Sequence, residues 1–77
     1  MRYSPSDKLR AQLAKAFVYH PPKADQVGRY EDIRTQALDF ANYLAEQCPE
    51  SRELSLALTH LESVVAFANA AIARNEP

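Results

Sequence analysis

Residues 48–74 read CPESRELSLALTHLESVVAFANAAIAR, and this stretch decides the fold. Six apolar side chains recur in it with spacings of four, three, four, three and four: Leu54, Leu58, Leu61, Val65, Ala68 and Ile72. A heptad-like spacing of this kind places apolar side chains along one side of an α-helix. Pro49 ends an incoming helix, and either Pro49 or Ser51 can open the outgoing one. We therefore predict a helix over about residues 50–75.

The segment before this turn predicts a second long helix, over about residues 23–47 and starting at Lys23 or Ala24. Its apolar residues alternate in threes and fours: Tyr30, Ile33, Ala37, Phe40 and Leu44, with Ala41 beside them. Gly28 weakens the beginning of this helix, so a start after Gly28 is the alternative. Two long helices joined by so short a turn are antiparallel neighbours, which predicts an αα-hairpin.

A short first helix is predicted over about residues 4–17. Ser4 suits the capping position, Pro5 suits the first helical position, and Asp7 follows Ser4 at the spacing of a capping box. Every fourth residue along it is apolar: Leu9, Leu13 and Phe17. The fold class is therefore all-α, with a short helix followed by a long hairpin, in a single domain over residues 1–77.

The small size of the chain limits how it can be stabilised. It has 77 residues, of which 47% are apolar, and a domain of this length usually needs disulfides, a metal or oligomerisation. Cys48 is the only cysteine, which excludes an intrachain disulfide and suggests a reducing compartment. Cys48, His20 and His60 lack the spacing of a zinc site. Oligomerisation is the remaining option.

The helix over residues 50–75 supports this view, because it has a second apolar side. That side carries Leu56, Val64, Phe67 and Ala71. Burial against other subunits would cover it. The alternative is that the short first helix covers it alone, although three turns of helix cover only part of seven.

Several function classes are excluded by what the sequence lacks. No apolar run begins the chain and no stretch approaches the ~20 continuous apolar residues of a membrane span, so we expect a soluble protein with no membrane partner. Nine basic against ten acidic residues argue against a DNA-coating protein. There is no phosphate loop, His/Cys cluster or Ser-His-Asp arrangement, so we expect no enzyme, no metal and no cofactor.

Residues suited to ligand binding cluster at the junctions between helices. Tyr19 and His20 lie on a connector stiffened by two prolines, with Lys23 just beyond and Arg29 and Arg34 on the next helix. Aromatic rings stack on bases and cations bind phosphates. Taken singly, Lys23 and Arg29 are expected to be solvated, and Tyr30 is expected to lie in the core.

Three polar residues interrupt the apolar third helix. They are Thr59, His60 and Asn69. Each either faces solvent or serves a pocket made between subunits. For Asn69 two roles stay open, a structural hydrogen bond across subunits or a contact with a ligand.

The chain resembles the phage anti-CBASS sponge family, whose helical hairpin also occurs in one class of Thoeris anti-defence sponges. The resemblance covers about residues 17–75. In the second half of the chain it rests on residues 49–53, Ser55, residues 57–59, Leu61, Glu62 and residues 68–74. Upstream it rests on residues 19–23, Arg29, Tyr30, Ile33 and Arg34. Proteins of this family bind the cyclic oligonucleotide messengers that bacterial immune cyclases make during infection.

The resemblance implies a compact homo-hexamer with two kinds of pocket. A cyclic dinucleotide suits a two-fold axis, a cyclic trinucleotide suits a three-fold axis, and a hexamer of three dimers contains both. The residues that match the dinucleotide pocket are Tyr19, Lys23 and Arg34. The residues that match the trinucleotide pocket are His20, Thr59 and Arg74. Expected ligands are 3′,3′-cGAMP and cyclic tri-adenylate.

The expected function is sequestration without cleavage, in the cytoplasm of an infected bacterial host. Binding the messenger would keep it from the CBASS effector. The alternative is a small oligomeric helical protein with a structural or regulatory role and no nucleotide ligand. A cyclic-nucleotide hydrolase fits poorly, because neither a metal site nor a paired general acid and base is visible.

Overall fold

The computed structural model describes residues 2–77, which form three α-helices and no strand. Helix α1 spans Asp7–Phe17, α2 spans Gln26–Gln47 and α3 spans Arg52–Asn75. Helices α2 and α3 pack against each other as an antiparallel hairpin, and α1 contacts α3. This confirms the all-α fold built on a helical hairpin.

The first helix begins later than its sequence predicts. The predicted cap was Ser4, but Ser6 is the N-cap, and its hydroxyl accepts a hydrogen bond from the Leu9 amide at 3.1 Å. Two serines flank Pro5, and both are suitable caps. Capping by Ser6 places Asp7 in the first turn, where a carboxylate favours the helix dipole, and leaves Pro5 outside the helix.

The second helix also starts later, at Gln26 rather than at Lys23 or Ala24. Ala24 has a φ of 40°, in the left-handed region that a helix cannot include. The resulting turn is closed by the Gln26 amide, which donates to the Lys23 carbonyl at 2.8 Å. Gly28 lies inside the helix, so the alternative start after Gly28 is wrong.

The hairpin turn follows one of the two predicted alternatives. Ser51 rather than Pro49 opens α3, and its hydroxyl accepts from the Leu54 amide at 3.1 Å. Glu53 then lies in the first turn of α3 and Arg74 in its last, which suits both ends of the helix dipole.

The seam between α2 and α3 is only partly shielded from water. All six predicted seam residues of α3 are buried or half-buried, but Leu54 is the only apolar residue of the described chain that counts as buried. On α2 the seam uses Ala41 rather than the predicted Phe40, which is 50% exposed. One chain therefore makes a helix pairing without a closed core.

The molecule is also flat. Its extents are 53 × 35 × 14 Å and its radius of gyration is 17.2 Å, whereas a compact chain of this length would have a value of about 11–12 Å. Phe67 is 74% exposed and Val64 is 60% exposed, so the alternative in which α1 alone covers this side of α3 is wrong. The predicted α1 stripe is itself exposed, with Phe17 at 82%.

Helix α3 is long and apolar enough to cross a membrane, by length and composition alone. Its most apolar stretch has a mean hydropathy of 1.5, although polar residues interrupt it and no continuous apolar run marks it. His60 and Glu62 lie near its middle, and a charged side chain at the centre of a bilayer costs at least about 2.5 kcal/mol. The same composition is typical of a helix that packs between protein subunits.

Candidate ligand-binding groove

A groove of about 400 Å³ lies where all three helices come together. The end of α1 and the connector form one wall, the first half of α2 forms another, and the last third of α3 forms the third. The side chains in it that suit a polar ligand are Lys15, Tyr19, His20, Arg34, Asn69 and Arg74. A volume of this size is in the range of small-molecule sites.

The charge of the groove differs from that of the whole chain. Lys15, Arg34 and Arg74 line it, and among residues 2–77 no Asp or Glu does. The chain as a whole has a net charge of −1. Cations without neighbouring acids attract anions, and a concave wall strengthens that attraction. The groove is therefore suited to a ligand that carries phosphate or carboxylate groups.

The aromatic wall of the groove is held by the connector. The His20 Nε2 atom lies 2.9 Å from the Lys15 carbonyl oxygen, to which it donates, and His20 is half-buried. Tyr19 is 80% exposed, and Pro21 and Pro22 restrict the backbone that carries it. The ring of Tyr19 is thus available to a ligand, while that of His20 already has one fixed contact.

The α3 wall combines small residues with one unsatisfied polar group. Ala70 and Ala73 leave room for a ligand, and the Oδ1 atom of Asn69 is buried without a hydrogen-bond partner. A buried polar atom in this state costs about 1–3 kcal/mol. A donor from a ligand or a second subunit would remove that cost, so both predicted roles of Asn69 stay open. Tyr30, expected in the core, is half-buried and lines the groove.

Arg29 is not solvated as the sequence predicted. Its guanidinium donates through Nη1 to Glu76 Oε2 at 2.7 Å and through Nη2 to Glu76 Oε1 at 2.5 Å, and its Nε lies 3.2 Å from Asp25 Oδ2. The hydrogen bonds from Arg29 and Gln26 lower the pKa of the Glu76 carboxyl to about 2, and the pKa of Arg29 is raised by the hydrogen bond to Glu76. The sequence gives no local sign of this pair, because its members are 47 residues apart.

The structure brings four of the six predicted ligand residues together. Tyr19 and Arg34, from the predicted dinucleotide set, share the groove with His20 and Arg74, from the trinucleotide set. Lys23 is exposed and Thr59 is exposed, and neither lines the groove. Thr59 lies 15 residues before Arg74 on α3, which is about 22 Å along the helix axis.

No metal centre accompanies the groove in the part of the chain that the structure describes. Within residues 2–77, no group of three or more His, Cys, Asp or Glu side chains is placed to hold an ion. Cys48 is exposed at the hairpin turn.

Residues 10–73 match the family model described as Acb2/Tad1, hairpin domain. The matched range contains five of the six predicted ligand residues and ends one residue before the sixth, Arg74. No curated protein and no solved structure matches the chain.

Proposed function

Because the chain belongs to the Acb2/Tad1 hairpin-domain family, we propose that it is an anti-defence sponge that binds cyclic oligonucleotide messengers and releases them unchanged. The resemblance found in the sequence is confirmed by this membership. The family supports an anti-defence role of the sponge type. That the protein binds cyclic messengers, which residues bind them and how the subunits assemble are our own proposals.

One observation carries the ligand class: cations and aromatic side chains share a groove that no acidic residue of the described chain lines. Cyclic oligonucleotides carry phosphates and base faces, and they have no free phosphate ends. Arg34 and Arg74 would bind phosphate oxygens, and Arg can do so with two parallel hydrogen bonds. Tyr19 would stack on a base, which contributes about 1–3 kcal/mol.

The residues of the proposal fall into two sets of three. Tyr19, Arg34 and Lys23 would bind cyclic dinucleotides such as 3′,3′-cGAMP. A second set, made of His20, Thr59 and Arg74, would bind cyclic trinucleotides such as cyclic tri-adenylate. Thr59 and Lys23 lie outside the groove of their own chain, so they would reach the ligand from neighbouring subunits.

A homo-hexamer would bring those subunits together. The support for assembly is physical: the chain is flat, residues 2–77 contain one buried apolar side chain, and Phe67, Val64 and Phe17 are largely exposed. A two-fold axis would use each cation twice on one dinucleotide, and a three-fold axis would use it three times on one trinucleotide. Repetition of this kind would let a chain of net charge −1 bind a polyanion.

The mechanism needs affinity and copy number rather than chemistry. Each bound messenger is removed from the pool that would activate a CBASS effector. The messenger is made in the cytoplasm of the infected bacterial host, and we place the protein there. Reversible binding requires only that the groove bind the uncleaved cyclic messenger.

The test is calorimetry of the pure protein against a panel of cyclic di- and trinucleotides, followed by heat denaturation and chromatography of the ligand. Saturable binding and recovery of the messenger with unchanged mass are expected. Linear products that accumulate with time would mean an enzyme. Absence of binding to the whole panel, by a correctly assembled protein, would favour the structural alternative.

A further inference from the structure

Three residues join the start of α2 to the end of α3, and we refer to Gln26, Arg29 and Glu76 as the clasp. The Glu76 carboxylate accepts from both terminal nitrogens of Arg29 and, through Oε1, from Gln26 Nε2 at 2.9 Å. Gln26 is 6% exposed, which makes it the one buried polar residue of the described chain. Its own Oε1 accepts from the Lys23 amide at 2.9 Å.

The position of Glu76 is unfavourable without these partners. Glu76 is the C-cap of α3, where the helix dipole presents partial negative charge. A carboxylate at that end is repelled, and the backbone contact that holds it, from its amide to the Ile72 carbonyl, is long at 3.4 Å. The forked contact with Arg29 is therefore what fixes Glu76. The low pKa of Glu76 agrees with this arrangement.

The clasp connects three of the segments that carry groove residues, namely the connector, α2 and α3. Arg74 lies two residues before Glu76, at the end of α3. The Lys23 amide ends the connector that carries Tyr19 and His20. Arg29 lies on α2, five residues before Arg34. None of the clasp residues lines the groove, so they do not contact a ligand placed there.

We propose that Glu76 is a positioning residue, which holds Arg74 against the connector so that both act on one ligand. This inference rests on the proposed function. It concerns a residue beyond the matched range of 10–73, and the family match therefore says nothing about it. The clasp orients the α3 wall of the groove relative to the aromatic wall.

A double-mutant cycle between Glu76 and Arg74 tests this role, with cyclic tri-adenylate as the probe. Glu76→Ala alone should weaken binding by about tenfold, a change typical of coupled neighbours. In an Arg74→Ala background the same change should have less than about a twofold effect, because no arginine remains to be positioned. Equal losses in both backgrounds would mean a general structural role and would overturn the proposal.

A charge exchange supplies the second measurement. Arg29→Glu combined with Glu76→Arg should restore affinity relative to either single variant. Arg29→Lys alone should weaken binding, because an ammonium keeps the charge but cannot make the planar two-point contact with Glu76. Each variant is compared at the assembled mass of the wild type. If Glu76→Ala fails to assemble, Glu76→Gln replaces it in the double-mutant cycle, because the glutamine keeps an acceptor for Gln26.

The outcomes separate this inference from the function on which it rests. If the wild type binds no cyclic oligonucleotide, the proposed function fails. If the wild type binds and the Glu76 variants bind equally well, the sponge stands and the positioning role is wrong.

Discussion

The groove end of the molecule and the flanks of the hairpin are built in opposite ways. At the groove end, Arg29 and Gln26 both donate hydrogen bonds to Glu76 within a single chain. Along the flanks, two shallow apolar hollows of about 310 and 350 Å³ lie between α2 and α3, and Val64 and Phe40 in one of them are half or more exposed. A single chain thus brings its candidate ligand groups together, but it leaves much of its apolar surface exposed to solvent.

This difference predicts that changes on the flanks act on assembly and that changes at the groove end act on ligand. The largest effect is expected from Phe67→Glu. A phenyl ring contributes about 1.5–3 kcal/mol when buried, and a buried unpaired carboxylate costs more. The mass from light scattering should fall toward the 8.7 kDa of one chain. Gln47→Glu, which adds a charge at the exposed end of α2, is the control and should leave the mass unchanged.

If Phe67→Glu kept the wild-type mass, the apolar side of α3 would not be an interface. The expected difference between the flanks and the groove end would then be wrong. A wild-type mass of one chain at micromolar concentration would contradict the assembly altogether.

The next largest effect is expected at the groove. Tyr19→Ala or Arg34→Ala should weaken 3′,3′-cGAMP binding by at least about a hundredfold. Loss of base stacking by Tyr19 costs about 1–3 kcal/mol per base, loss of a charge-assisted hydrogen bond from Arg34 costs roughly 1.5–3 kcal/mol, and a two-fold axis doubles either loss. Neither residue lies on the seam of the hairpin, so the assembled mass should not change. Arg10→Ala, an exposed cation of α1 outside the groove, is the matched control for calorimetry.

Trinucleotide binding should respond more to Arg74→Ala than dinucleotide binding does. Near-wild-type affinity for 3′,3′-cGAMP in both the Tyr19 and Arg34 variants would refute the dinucleotide site.

A smaller effect on stability is expected at Ala24, in the turn that feeds α2. A non-glycine residue in the left-handed region costs roughly 1–2 kcal/mol, and glycine loses roughly 0.5–1 kcal/mol of that gain through its flexibility when unfolded. Ala24→Gly should therefore raise the free energy of unfolding by about 0.5–1 kcal/mol. Ala57→Gly, inside α3, should lower it by about 1 kcal/mol. Denaturant unfolding at equal chain concentration measures both changes. A lower free energy of unfolding in Ala24→Gly would contradict backbone strain at Ala24.

The smallest effect is a pH dependence that arises from the clasp. The pKa of Glu76 is lowered to about 2 from an ordinary value near 4.5, so its ionised form stabilises the folded chain above the ordinary value. That stabilisation is lost as the pH falls from about 4.5 to 2. The effect is small because about a third of the side chain is exposed to screening solvent.

Glu76→Gln should flatten the fall in melting temperature over this pH range. Arg29 stays protonated throughout and adds no slope. An identical pH profile in the wild type and in Glu76→Gln would show that the contact contributes no linkage.

Much of the fold follows from local sequence. The spacing of Leu54, Leu58 and Leu61 gives the seam of α3, and Ser51 gives its cap, since both depend on residues within a few positions of one another. The starts of α1 and α2 were missed for a different reason. Ser4 and Ser6 are chemically equal caps, and the left-handed turn at Ala24 has no glycine to mark it.

For the candidate site, too, some features follow from local sequence and others only from the packed structure. The sequence by itself determined the residue types that suit a nucleotide and the stiff connector that carries Tyr19 and His20, because prolines restrict the chain locally. Only the tertiary structure decided that Arg34 and Arg74 share one groove, that Thr59 lies apart from it and that Arg29 binds Glu76. Contacts between residues 47 positions apart depend on how α2 and α3 are aligned, and that alignment is a property of the packed hairpin and of no single segment.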